Sequence, residues 1–109
     1  MDCYAVFDYT AYQTFRLLEK RIEVFETDNL TRIFPYSFYG CNKLSKVIFN
    51  TDYMVILDNV NAFEESSILT KNDTGFIEVK SRELRDEYLQ DPEWKKIPEN
   101  KFKIIGEED

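Results

Sequence analysis

The sequence predicts an α+β fold: a short solenoid of two stacked units, closed at each end by a capping helix. Three observations predict it. Two consecutive segments in the middle of the chain line up at a constant spacing. Short runs of alternating apolar and polar residues, the pattern of strands, begin and follow those segments. Apolar residues at three-to-four spacing, the pattern of helices, flank them on both sides. At 109 residues, with 43% hydrophobic and 16% aromatic content, the chain has enough apolar surface for one domain with a core rich in Phe and Tyr.

Residues 1–21 read as an N-terminal strand and helix cap. The run "CYAVFDY", Cys3 to Tyr9, is made of strand formers. Thr10 then stands where a helix N-cap belongs, and Tyr12, Phe15 and Leu17 or Leu18 space out a helix from about Ala11 to Lys20. Lys20 and Arg21 put positive charge at its C-terminal end, where the helix dipole favours it.

Residues 22–70 carry the two repeat units. In "RIEVFE", Ile22, Val24 and Phe25 frame a short strand, and "TDN" at Thr27 to Asn29 is a turn. Placing Val47 on Ile22 sets an offset of 47 − 22 = 25. At that offset Phe49 falls on Val24, Val55 on Leu30, Ala62 on Ser37, Phe63 on Phe38, Ser66 on Cys41 and Leu69 on Leu44. A fixed period in the twenties is the mark of a leucine-rich-repeat solenoid, in which each unit buries its apolar face only against its neighbour. Phe38, Cys41, Leu44 and Val47 are expected to face inward.

Residues 71–105 read as a strand–helix C-terminal cap and 106–109 as a frayed acidic tail. "TGFIEV", Thr74 to Val79, alternates as a strand after the turn that Gly75 and "KND" supply. Ser81 is the N-cap of a helix with Leu84, Tyr88 and Leu89 on one face and Glu83, Asp86 and Glu87 on the other. Pro92 stops or restarts it, Trp94 and Ile97 continue the apolar side, and "KFKII", Lys101 to Ile105, is a last strand or extended piece.

Composition excludes several kinds of chemistry. With 21 acidic and 14 basic residues the net charge is −7, which opposes direct binding of a nucleic-acid backbone. The chain contains no histidine, the commonest general base and metal ligand. Ser37, Ser45 and Ser66 therefore have no histidine to activate them, and Cys41 as a nucleophile lacks its usual partner. Cys3 and Cys41 are expected to be two free thiols in a reducing compartment, Cys41 filling core space. Three glycines form no phosphate loop, and "NDTG" and "TDN" lack calcium-loop spacing. The expectation is no enzyme, no cofactor and no metal. No stretch reaches the roughly 20 apolar residues of a membrane span, and the start of the chain does not read as a secretory signal.

The segment "IFPYSFYGCNKLSKVIF", Ile33 to Phe49, resembles a repeat of the BspA-type leucine-rich-repeat family. The family core is seen in "SFYGCNKL", Ser37 to Leu44, and again in "AFEESSIL", Ala62 to Leu69, with Ser66 at the cysteine position. The C-terminal half is similar to the closing segment of such proteins in phages and prophages of gut bacteria, through Asn61, Ala62, Phe63, Thr74, Gly75, Ile77, Val79, Leu84, Tyr88 and Trp94. Lys80 departs from it, standing where the family usually has proline. The likeness spans roughly Ile22 to Ile105.

The resemblance implies a non-catalytic protein–protein interaction module of phage or prophage origin, such as a head or tail accessory protein of the virion. The acidic charge and short chain also suit a small inhibitor that binds a host defence nuclease, of the anti-CRISPR kind. Either would work in the host bacterial cytoplasm or the virion, with a protein partner. Tyr36 and Tyr39 either pack partly buried or point outward, where tyrosine serves an interface, and with Asp58, Glu64 and Glu65 they make the candidate interaction surface.

Overall fold

A computed structural model describes residues 22–70 and 74–107. Its main element is a four-stranded sheet made of β1 (Val24–Thr27), β3 (Lys46–Phe49), β5 (Phe76–Val79) and β6 (Phe102–Ile104), in that order and all parallel. Two very short strands, β2 (Arg32–Ile33) and β4 (Ile56–Leu57), pair in parallel as a second sheet. The single α-helix among the described residues is α1 (Arg82–Gln90).

This α/β arrangement corrects the expected two-unit leucine-rich-repeat solenoid with capping helices. The segment read as a C-terminal cap supplies two strands of the sheet, so the sheet does not end with the second unit. The strands also lack one period. Paired positions lie 22 residues apart from β1 to β3 (46 − 24), 30 from β3 to β5 (76 − 46) and 25 from β5 to β6 (102 − 77). The N-terminal strand and helix expected over 3–20 lie outside the described residues.

Strand phase needs a second correction. The register sets Phe25 opposite Val47 and Thr27 opposite Phe49, so Phe25 and Thr27 are the inward residues of β1. Val24, expected inside, stands 52% exposed on the outer face. The 25-residue offset misplaced it by three positions in the strands. The turns do keep that offset. Cys41 N–H donates to Phe38 O (3.1 Å) as Ser66 N–H does to Phe63 O (3.0 Å), and the rings of Phe38 and Phe63 stack at 5.1 Å, nearly parallel.

One run of aromatic rings spans the core. Phe25 meets Phe38, Phe38 stacks on Phe63, Phe63 meets Trp94, and Trp94 meets Phe49, Tyr88 and Phe102, with centroids 5.1 to 6.1 Å apart. Such pairs add to the large area each ring buries. The polar ends of the two deepest are satisfied by one residue: Val55 N–H donates to Tyr88 Oη (2.9 Å), and Trp94 Nε1–H donates to Val55 O (2.7 Å).

The helix forms where the sequence placed it. Ser81 Oγ accepts from Leu84 N–H (3.2 Å), Leu84 and Tyr88 are buried, and Glu83, Asp86 and Glu87 are exposed. Asp91 ends it, ahead of Pro92, and its carboxylate accepts from the N–H groups of Glu93 and Trp94, which turns the chain and drives the indole inward. Gly75 is fixed by space as well as by its positive φ of 76°: a Cβ there would lie 2.6 Å from the Ser67 carbonyl.

Candidate interaction surface

The loop 34–40 and the loop 61–65 lie side by side, pinned by two backbone hydrogen bonds. Phe38 N–H donates to Ala62 O (2.7 Å) and Gly40 N–H donates to Glu64 O (2.9 Å). Gly40, with φ 74°, permits the turn that brings this about. The stacked Phe38 and Phe63 rings lie beneath, so the loops rest on a rigid base.

Above that base sit four of the five sequence-expected residues. Tyr36 is 54% exposed, and its ring meets that of Tyr39 edge-on at 5.9 Å. The Tyr39 hydroxyl donates to Glu65 Oε2, tying the two loops together at the surface. This bond to a carboxylate raises the Tyr39 phenol above its ordinary pKa, with the charges of Glu65 and Glu64 adding to it. Glu64 and Glu65 are exposed, and neither has a cationic partner among the described residues.

The backbone marks the same place. Tyr36 (φ 63°) and Glu65 (φ 58°) are the non-glycine residues with left-handed backbone among those described. For residues with a Cβ this conformation costs on the order of 1–2 kcal/mol. Strain of this kind concentrates at working sites.

Asp58 is placed elsewhere. It lies just after β4, ion-paired with Arg32 of β2 at 3.5 Å, and no hydrogen bond or ion pair joins it to the tyrosines or to Glu64 and Glu65. Its charge has a cationic partner, where theirs have none among the described residues.

Two further surfaces escaped the sequence reading. The outer face of the sheet exposes Val24, with Ile48 and Phe76 half-buried, crossed by a Lys46–Glu78 ion pair at 3.4 Å. The signal was present in the alternation of β1, but its phase was ambiguous between Val24 and Phe25. An open groove of about 520 Å³ also runs between α1 and β6, lined by Arg82, Arg85 and Lys103. Its residues come from two elements that no local pattern relates.

Cys41 is buried, but it is disulfide-bonded and not the free thiol expected from sequence. The chain's other cysteine lies outside the described residues. The expectation of a reducing compartment rested on free thiols and loses that support. Among the described residues no helix is long and apolar enough to cross a membrane, and no group of three or more acidic or cysteine side chains is placed to hold a metal ion.

A scan against protein-family models returns no match to this chain, and neither do searches of curated proteins and of solved structures. The site is described by its own geometry: two tyrosines and two glutamates on adjoining loops, with left-handed backbone at Tyr36 and Glu65 and a stacked pair of buried rings beneath.

Proposed function

We propose that this protein is a non-catalytic interaction module that docks a partner protein through Tyr36, Tyr39, Glu64 and Glu65. The observation that carries this reading is the pairing of strain with exposure. Tyr36 and Glu65 both hold left-handed backbone, and they place on one surface two tyrosines and two carboxylates that have no cationic partner among the described residues. Tyrosine brings large contact area at small entropic cost, and unpaired carboxylates steer a basic partner.

Two versions of the partner follow from the sequence resemblance and the charge. In the first, the protein is an accessory component of a phage particle and packs on other head or tail proteins. In the second, it is a small acidic inhibitor in the bacterial cytoplasm that covers the basic channel of a defence nuclease. Glu64 and Glu65, without a cationic partner among the described residues, are what the second version calls for.

Size-exclusion chromatography with purified candidate partners tests both. A complex that forms at low salt, weakens at moderate salt and is lost in Glu64→Gln/Glu65→Gln supports docking through this surface. A complex with head or tail proteins selects the first version, and one with a basic nuclease the second. Complexes untouched by Tyr36→Ala and by the double carboxylate variant would rule this surface out.

A further inference from the structure

The acidic chain gathers positive charge in one place. Against a net charge of −7, the groove between α1 and β6 is lined, among the described residues, by Arg82, Arg85 and Lys103 and by one carboxylate, Glu107. Its remaining walls come from Phe76, Asn100, Phe102 and Ile104, which mix two rings and an aliphatic side chain with one amide.

Arg85 is held rigid. Its Nε–H donates to Phe102 O (2.8 Å) and its Nη2–H to Glu99 O (3.3 Å), which aligns the guanidinium plane and commits part of its five donors. A guanidinium fixed this way loses little freedom when it meets an anion. The Lys103 ammonium stands 4.7 Å from the centre of the Phe76 ring, a cation over an aromatic face. A carboxylate already marks the site: Glu107 approaches Arg82 at 3.7 Å, with the two side chains 54% and 69% exposed. So exposed a pair is weak and open to exchange.

We propose that this groove is a binding site for an acidic, partly apolar peptide segment of another protein. Incoming carboxylates take the place of Glu107 at Arg82 and engage Arg85, while neighbouring apolar side chains lie on Phe76 and Ile104. The walls favour a peptide over a phosphate. The apolar surface has no role for a bare anion, and Ser81 already occupies the Leu84 N–H of the helix N-terminus, where a phosphate would otherwise sit. A long polyanion such as nucleic acid is opposed by the molecule's overall charge. The groove shares no residue with the tyrosine surface, so the two sites stand or fall separately.

The test is a fluorescence-anisotropy titration of the full chain with a labelled peptide of alternating Glu and Leu, followed by NMR mapping. Saturable binding at low salt that weakens at physiological salt is expected. Arg82→Gln and Arg85→Lys should each weaken it about tenfold, the loss of one charge-assisted hydrogen bond. Arg82 is exposed, so its variant should melt as the wild type does, which separates lost binding from lost folding. Shifts should fall on Phe76, Asn100 and the Arg85 side chain. Equal binding of the Gln-for-Glu peptide, or binding unchanged in both arginine variants, would overturn the proposal. So would displacement by inorganic phosphate at the same concentration, or the same shifts arising from self-association without peptide.

Discussion

Two pairs of rings in this molecule have nearly the same geometry and opposite surroundings. Tyr88 and Trp94 meet edge-on at 5.1 Å and 74°, and Tyr36 and Tyr39 at 5.9 Å and 69°. The first pair is fully buried and gives both polar atoms to Val55. The second lies at the surface, Tyr36 exposed and Tyr39 half-buried, and gives one hydroxyl to Glu65. Ring contact alone therefore does not distinguish core from interface. The hydrogen-bond partner does: a buried backbone group in one case, an exposed carboxylate in the other.

The sharpest way to break the comparison is Trp94→Ala. It empties the centre of the ring cluster and leaves Val55 O unpaired, so a loss of about 5 kcal/mol is expected from chemical denaturation, at the top of the range for large aromatic truncations. A loss near that of a surface substitution would mean the cluster is not the core.

Phe63→Ala comes next, at about 3–5 kcal/mol, and Phe38→Ala should match it because the two rings stack on each other. Their double variant should cost less than the two single losses added together, because each single change already removes the shared contact. Simple additivity would show that the loops do not share one base.

Tyr88→Phe probes the polar half of the buried pair. It strands Val55 N–H and should cost about 1–3 kcal/mol. Burial also raises the Tyr88 phenol well above its ordinary value of 10.0. The folded state thus favours the protonated form, and the stabilisation is complete below the ordinary tyrosine pKa and is lost as pH rises above it. Near-ultraviolet phenolate absorbance should show Tyr88 ionising together with alkaline unfolding, and ionisation well before unfolding would contradict its burial.

The smallest effect is expected at the surface pair. Tyr39→Phe should leave the melting curve unchanged, since its bond to Glu65 is exposed, yet weaken partner docking. If Tyr39→Phe lowers the melting temperature as much as Tyr88→Phe does, the two tyrosines do the same job and the contrast fails.

Much of the local structure was legible in the chain. Helix α1 could be placed from Ser81, the Leu84–Tyr88 spacing and Pro92, because cap, periodicity and breaker all act within a few residues. Phe38, Cys41, Leu44 and Val47 were expected inside and are buried. The strand phase at Val24 and Phe25 was not legible, since two adjacent apolar residues satisfy either alternation. The candidate surface was half legible. Exposed tyrosines and a pair of glutamates stand out in a sequence, but the left-handed backbone at Tyr36 and Glu65 does not.

The sequence by itself determined which residues are apolar, where the turns fall and that histidine chemistry is absent. These follow from composition and from short-range periodicity. Only the tertiary structure decided that the C-terminal segment enters the sheet as β5 and β6, that Asp58 pairs away from the tyrosines, and that Arg82, Arg85 and Lys103 share a groove. Parallel pairing joins residues 22 to 30 positions apart, and at that distance register is set by side chains meeting across the core, which no local pattern encodes.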